Sequence, residues 1–528
     1  MKPAAKLFLS IAVLLAGMPL VSDAASSVTR HGVTWEFDKD YITGQYANGD
    51  WFVKGPVTIT RITPIPTAGR NGTVINPERS RTQGFDDRFG SNPYDNALNV
   101  GKNLPITVAA DSSVVSSISK SAVSTYTQLE TFAILTVVNV APAAGSFRPS
   151  YTSSGSRAST FNINQLDYSK LQKLTPPSGT PNITTVAGYF ENPWYEQDLS
   201  WTGRYLHPSY MASNGYGKDM AVKTGDAALL LNLSYTDAQK EPLLIRFVQY
   251  GIDIYGILLD GGEWDADGGH NPGRLAPLVV AAGVLNDSRL KAQVAGSIMK
   301  FQEFQQTFFV SQADVNLTAR VATNGRPIYN YSAKDIGMPE WGLRHSSSPE
   351  KDNNDWMSPY RDICGGQLTG LAMAARVMGL RTIVNWEPLF QYQERHLNYE
   401  QSAGYGGEFN SNATPGFHKA FYNAHKNAVP GGTPIDPPLS AFLPGDRIQL
   451  SKDTNVRSSG VLAAPLLGVQ VSGSIGTIVS GPLGPDSNNI IWWQVDFATG
   501  VDGWTGQDSY IKITSTPPVP PTGLRVVE

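Results

Sequence analysis

Lys240-Glu241-Pro242-Leu243-Leu244-Ile245-Arg246-Phe247-Val248-Gln249-Tyr250-Gly251-Ile252-Asp253-Ile254 carries its apolar residues at helical spacing, and this reading decides the fold class of the middle of the chain. Pro242 stands near the start of the run, where a helix has backbone N–H groups without internal partners. Outward from it, Asp219-Met220-Ala221-Val222 through Ala227-Ala228-Leu229-Leu230-Leu231 is another amphipathic run. Further helices read at Arg274 to Leu285, Leu290 to Phe304, Asp362 to Met378 and Trp386 to Tyr399. Residues 161–430 therefore alternate helices with long aromatic and polar loops. Strands alternating with helices, as a parallel barrel needs, are not found, nor are heptads. Antiparallel helical hairpins closed into a ring, an (α/α) toroid, fit the pattern; a less regular helical domain is the alternative. A ring would gather its loops around one funnel mouth.

Before the helices, residues 25–151 read as β. Val33-Thr34-Trp35-Glu36-Phe37 alternates apolar with polar after the turn-prone His31-Gly32, and Trp51-Phe52-Val53 and Val57-Thr58-Ile59-Thr60-Arg61-Ile62 follow. Phe132-Ala133-Ile134-Leu135-Thr136-Val137-Val138 is a later strand. Short strands with frequent Gly and Pro breaks predict a β-sandwich-like domain. Its role is a structural collar for the helices or, alternatively, a carbohydrate-binding surface or one wall of a cleft. Residues 1–24 read as a signal peptide: Lys2 and Lys6 precede an apolar run from Leu7 to Val21, and Ser22-Asp23-Ala24 supplies a small-residue cleavage site. A membrane anchor is the rival, but the run is short for a bilayer and Pro19 breaks it. No later segment reads as a membrane span. The expected location is secreted or extracellular, the periplasm and cell surface included.

Composition narrows the function. At 528 residues the chain has room for three or four domains, and 41% hydrophobic against 16% charged residues excludes global disorder. Forty-one basic and 45 acidic residues give a net charge of −4, and no basic stripe is present, so nucleic acid is not an expected partner. The single cysteine, Cys364, excludes an intramolecular disulfide framework and argues against a cysteine zinc site. There is no P-loop or dinucleotide fingerprint.

Near the C-terminus, Gly445-Asp446-Arg447-Ile448-Gln449-Leu450 leads into Thr454-Asn455-Val456-Arg457-Ser458-Ser459, then Trp492-Trp493-Gln494-Val495, Gly503-Trp504-Thr505 and Tyr510-Ile511. This order of motifs resembles a bacterial Src-homology-3-like domain. The resemblance implies a small β-barrel over residues 440–514, of a kind often carried by secreted proteins that contact cell walls or extracellular polymers. Residues 515–528 read as a stiff Pro-rich linker, Thr516-Pro517-Pro518-Val519-Pro520-Pro521, running into Leu524-Arg525-Val526, which looks like the opening of a fibronectin type III segment.

Three polar clusters fall on the loops between helices. Glu191-Asn192-Pro193-Trp194-Tyr195-Glu196, with Trp201, Arg204, Tyr205 and His207, pairs aromatic faces with charged groups, which suits a sugar ring. A packed loop with buried tryptophans is the plain alternative. Asp260-Gly261-Gly262-Glu263-Trp264-Asp265-Ala266-Asp267-Gly268-Gly269-His270-Asn271-Pro272-Gly273-Arg274 crowds acids onto a Gly-rich loop, with His270 as a base and Arg274 as a carboxylate clamp. The alternative there is a helix-capping turn with solvated acids. Asp265 and Asp267 offer cation-ligand types without full calcium-loop spacing, so no cofactor is expected beyond a divalent cation at that loop. The last cluster holds Tyr329, Tyr331, Glu340, Trp341, Arg344, His345, Asp352, Asp355, Tyr360 and Arg361, a density suited to an acidic sugar.

The plan as a whole resembles, in architecture and residue types only, secreted polysaccharide lyases and glycoside hydrolases built on an (α/α) toroid. A lyase neutralises the uronate carboxylate, removes the C5 proton and protonates the leaving oxygen. Asn271 or Arg274 are the candidates for the first role, His270 or His345 for the second, and Tyr331 or Tyr329 for the third. Trp194, Trp201, Arg204, Tyr205, Trp341 and Arg344 are further substrate contacts. An inverting hydrolase instead needs two carboxyl groups about 6.5–9.5 Å apart, and Glu263, Asp265, Asp267, Glu340, Asp352 and Asp355 are available. The expected partner is a polysaccharide, and lyase chemistry is the first reading. A non-catalytic glycan- or wall-binding protein is the third.

Overall fold

The computed structural model describes residues 23–89, 92–122, 128–152, 160–197, 217–316, 331, 336–342, 364–401, 414–428, 442, 445–460, 462, 464–483 and 490–513. Over these residues the chain is mixed α+β, sheet-rich toward both ends and helical in the middle.

The first sheet holds β1 (Asp23–Arg30), β2 (Val33–Gln45), β3 (Trp51–Lys54), β4 (Val57–Thr63), β5 (Thr73–Ile75), β6 (Ile106–Val108), β7 (Ser112–Ser119) and β8 (Leu129–Val138). β1 already includes Asp23 and Ala24, ahead of the boundary expected at residue 25. The strand order is β5-β7-β8-β3-β2-β4-β6, with β1 on β2. Two separate sheets were expected of a sandwich; instead the parallel pairing of β3 with β8 joins everything into one eight-stranded sheet. That sheet curls over an apolar core of its own. Trp35, Phe37, Val57 and Ile59 from one half meet Val114, Ala133, Leu135 and Val137 from the other, and Trp35 Nε1 donates to Ser116 Oγ across the fold at 3.1 Å.

Alternation along β7 and β8 gives the sheet a second apolar face, and that face docks onto the helices. Val115, Phe132 and Ile134 enter one continuous core with Phe85, Tyr151, Tyr195 and the helical residues. Tyr195 sits with its ring centroid 4.4 Å from Phe132, 4.9 Å from Tyr151 and 5.2 Å from Phe85. The sheet is thus fused to the helices through shared packing.

The helices are α1 (Ile183–Tyr189), α2 (Gly217–Leu230), α3 (Asp237–Leu259), α4 (Leu275–Val284), α5 (Ser288–Gln293), α6 (Gln302–Gln306), α7 (Gln312–Asn316), α8 (Thr369–Val377), α9 (Arg381–Val384), α10 (Glu387–Gln401) and α11 (Gly416–His425). Between them β9 (Thr307–Phe309) pairs with β10 (Pro339–Trp341). Thr236 and Gln239 form a capping box that starts α3 at Asp237, ahead of the start expected at Lys240, so Pro242 lies inside the helix and not among the first N–H groups without internal partners. By length and a mean hydropathy of 1.3, α3 passes for a membrane span, which the sequence reading did not anticipate. Its apolar window is 78% buried inside the fold, as befits a core helix. Two glycines let neighbours reach it. A Cβ on Gly251 would stand 2.5 Å from the Pro277 carbonyl oxygen of α4, and one on Gly256 would stand 2.0 Å from Ser150 Oγ. α3 is therefore pressed between α4 and the segment that leaves the sheet.

Residues after 445 form the other large sheet, from β11 (Arg447–Leu450), β12 (Thr454–Arg457), β13 (Leu466–Gln470), β14 (Ile475–Leu483), β15 (Trp492–Phe497), β16 (Gly503–Gly506) and β17 (Tyr510–Lys512), in the order β13-β12-β16-β15-β14-β11-β17. The motif residues fall on these strands. Val456, Trp493 and Val495 join Ile448, Leu450, Ile478 and Phe497 in a core distinct from that of the helices.

Candidate functional site

The loop joining α3 to α4 carries the densest chemistry, and α6 determines its shape. Residues Gln302-Glu303-Phe304-Gln305-Gln306 supply side chains that bond the loop backbone. Gln302 Oε1 accepts from the Asn271 and Asp267 N–H groups at 2.9 and 3.3 Å, and its Nε2 donates to the Gly268 carbonyl at 2.7 Å. Gln306 Nε2 donates to the same carbonyl at 3.0 Å. Gln305 Oε1 accepts from the Ala266 N–H at 2.6 Å, and Glu303 Oε1 from the Gly273 N–H at 2.7 Å. Trp264 stacks on Phe301 with ring centroids 5.3 Å apart. A buried loop backbone left without such partners would cost about 1–3 kcal/mol per group. Burial pushes the Glu303 carboxyl up, against the pull of the Gly273 N–H.

This bracing sorts the sequence candidates. Arg274 is 0% exposed: its Nε donates to Glu196 Oε1 at 3.0 Å, and its Nη1 to the Pro272 and His270 carbonyls at 3.1 and 3.3 Å. Glu196 also accepts from Trp264 Nε1 at 2.9 Å and from the Tyr250 hydroxyl at 3.4 Å. Arg274 is thus an interior strut and not the clamp for a substrate carboxylate. As the residue that opens α4, it points into the core, where Glu196 compensates its charge. Asn271 is corrected likewise: it is buried, and its Nδ2 donates to the Asp265 carbonyl at 2.8 Å. Asp267 is buried too. Asp265 is exposed, whereas His270 and Glu263 are half-buried. Glu263 pairs with Lys300 Nζ at 2.7 Å and with Arg79 at 3.9 Å, and Asp265 Oδ1 accepts from Gln305 Nε2 at 3.2 Å. Among the described residues, no group of three or more His, Cys, Asp or Glu side chains converges as a metal site.

The first and third clusters contribute packing where they are described. Trp194, expected as a sugar platform, is buried; its Nε1 donates to the Tyr189 carbonyl at 2.7 Å and its ring lies 4.6 Å from Phe190. Tyr331, expected as a proton donor, is 3% exposed and meets Phe308 edge-on at 6.3 Å. Trp341 is 1% exposed, and Glu340 is buried and paired with Arg395 at 3.2 Å. Amphipathic rings are drawn inward wherever apolar neighbours are available, and composition alone does not say on which side of a loop those neighbours lie. Trp201, Arg204, Tyr205, Tyr329, Arg344 and His345 lie outside the described residues. The described parts of all three clusters nonetheless adjoin one another. Glu196 bonds Arg274, α6 braces the loop, and Gly342 N–H closes onto the Gln306 carbonyl at 2.6 Å.

Sequence reasoning missed a second polar concentration, at the seam between sheet and helices. Arg148 Nε donates to Asp50 Oδ2 at 2.7 Å and its Nη2 to Asp253 Oδ2 at 2.6 Å, all three groups being buried. Gln249 exchanges hydrogen bonds with the Arg148 backbone at 2.9 and 3.0 Å. Arg30 Nε reaches Asp50 Oδ1 at 3.2 Å, and His31 lies 3.8 Å from the same oxygen. Burial lifts the Asp253 carboxyl to about 6, only partly offset by Arg148. Burial, reinforced by Arg30, lowers the His31 imidazole to about 4. Burial would also raise Asp50, but Arg148, Arg30 and His31 outweigh it and hold Asp50 below its usual range. The signal was present: Asp253 interrupts the apolar run from Tyr250 to Ile257, a charge at a core position of a helix.

Comparison with protein-family models, with curated proteins and with solved structures finds no match for the chain.

Proposed function

We propose that the chain is a secreted polysaccharide-degrading enzyme. In this reading its helical middle is an (α/α) toroid, its first sheet a collar fused to it, and its last sheet a small Src-homology-3-like barrel that contacts walls or extracellular polymer. The observation that carries it is the braced loop 260–274. α6 bonds its backbone, and Asp265 is exposed and His270 and Glu263 are half-buried while Arg274, Asn271 and Asp267 lie within. A rigid loop bearing an imidazole and two carboxylates suits proton transfer to and from a bound sugar, because the groups need no reordering when substrate arrives. β-Elimination on a uronate glycan is the first reading, with His270 as the base. With Arg274 engaged inside, carboxylate neutralisation falls to Lys300 and Arg79 beside Glu263. The same inward turn of Arg274 favours a second reading, inverting hydrolysis by Glu263 and Asp265.

The test is a panel of uronate and neutral polysaccharides followed by two readouts. A lyase generates ultraviolet absorbance from the unsaturated product, and a hydrolase generates reducing ends without it. His270→Ala should lower lyase turnover by at least about 100-fold with folding intact. Full activity in that variant, with Glu263→Gln or Asp265→Asn inactive, transfers the assignment to the hydrolase. Binding without either product identifies a glycan-binding protein and overturns the proposal.

A further inference from the structure

At the opposite end of α3 from the loop 260–274, an open groove of about 450 Å³ is lined by Tyr168, Ser169, Leu171, Gln172, Lys173 and Asp237. Clefts that hold small ligands measure roughly 300–1,000 Å³. The groove wall is held from behind. The Gln172 N–H donates to Asn232 Oδ1 at 3.0 Å, and the Gln172 carbonyl accepts from Lys240 Nζ at 2.8 Å; both of these side chains are buried. Asp167 Oδ1 accepts from the Ser169 N–H at 3.0 Å. Burial lowers the Lys240 ammonium to about 8, Asp237 opposing the shift and Lys173 adding to it. A buried lysine is a costly means of holding one carbonyl of a surface segment, and it leaves a second cation close to Lys173. Tyr168 is half-buried: it packs against the core shared by sheet and helices and also borders the groove. Ser169, Lys173 and Asp237 are exposed, and the neighbouring acid Glu241 lies outside the lining. Such a surface suits a ligand with one anionic group, several hydroxyls and an apolar ring face. Lys173, with Lys240 near it, attracts a carboxylate; Asp237 accepts from hydroxyls; the Gln172 and Ser169 side chains both donate and accept; Tyr168 supplies a ring. A uronate unit combines these features.

We propose that this groove is a second glycan-binding site, which holds a uronate unit of the polymer with its carboxylate at Lys173 and its hydroxyls on Asp237 and Gln172. The inference rests on the reading of the chain as acting on uronate glycans. It adds a site that the 23 residues of α3 set about 34 Å from the loop assigned to catalysis. It is tested by calorimetric titration of the full chain with tetragalacturonate and tetramannuronate, cellotetraose being the neutral control. At least one tetrauronate should bind more tightly than cellotetraose. Lys173→Glu should weaken that binding event roughly tenfold, whereas His270→Ala should leave it unchanged. Tyr168→Ala should weaken it by a factor similar to Lys173→Glu. Lys173 is exposed, so its variant decides the matter if Tyr168→Ala fails to fold. No tetrauronate binding, equal or tighter binding of cellotetraose, or unchanged affinity in either folded groove variant overturns the site. Turnover separates this from failure of the enzyme reading. A chain that binds a tetrauronate through the groove but degrades no polysaccharide loses only the enzyme reading; one that degrades uronate polymer while the groove variants bind as wild type loses only the groove.

Discussion

Asp253→Asn should make the fold acid-sensitive, because Asp253 and His31 oppose each other across one pH window. His31 falls from 6.5 to about 4, so the unfolded chain binds more protons there, and stability is lost as pH drops from 6.5 toward 4. At about 1.36 kcal/mol per pH unit this amounts to roughly 3 kcal/mol. Asp253 rises from 3.8 to about 6, so the folded chain binds more protons, and stability grows as pH drops from 6 toward 3.8. That contribution is also about 3 kcal/mol, opposite in sign. The two nearly cancel in the wild type. Arg148, Asp50, Arg30, Glu191, Arg246 and Gln249 face these groups and are common to wild type and variant. The assay is urea unfolding at pH 7 and pH 4.5, read as the difference between variant and wild type so that distant carboxylates drop out. Asp253→Asn should lose about 2 kcal/mol more than wild type between those conditions. Equal losses would refute the compensation, whatever their size.

Other outcomes follow from the packing. Arg274→Ala leaves Glu196 buried without its cation and should cost about 3–5 kcal/mol, checked by denaturant unfolding, with Glu196→Gln in the same background recovering part of it. Gly251→Val should destabilise by more than about 2 kcal/mol, since its side chain would meet the Pro277 carbonyl oxygen, whereas Gly188→Ala in α1 should cost less because no atom lies near its Cβ and its φ is not positive. Removing residues 440–514, whose core is separate from that of the helices, should leave turnover on soluble oligosaccharide near wild type and reduce retention on insoluble polymer; loss of soluble activity would refute the independence of that unit.

Most helices and strands were legible because period and punctuation are local, but the single helix expected over Leu290 to Phe304 is two, α5 and α6, with Met299 between them at a left-handed φ of 50°. The apolar spacing of α3, the alternation of Val33 to Phe37 in β2 and the apolar run of β8 are each contained within a few residues. The joining of the first sheet was not legible, since the parallel contact of Trp51 with Leu135 couples residues far apart in the chain and no local pattern announces it. Nor was the direction in which a polar side chain points. His270 and Arg274 are four residues apart in one loop, and sequence gives them equal claim on a substrate. The difference comes from Glu196, which lies in another cluster and whose buried carboxylate is stable only with a cation beside it.

The same argument explains why the glutamines of α6 escaped notice. Gln302, Gln305 and Gln306 carry no charge and no catalytic chemistry, yet their amides are both donors and acceptors and can satisfy N–H and C=O groups together. A Gly-rich loop lacks side chains to do this for itself, so its shape is held from outside. The acidic loop therefore has two kinds of polar residue. Arg274, Asn271 and Asp267 are buried, whereas Asp265 is exposed and Glu263 and His270 are half-buried, Glu263 paired with Lys300. The sequence presents the two kinds alike, and only the position of α6 against residues 264–273 separates them. The proposed proton-transfer roles go to the second kind, because a half-buried or exposed group changes partners at less cost than a fully buried one.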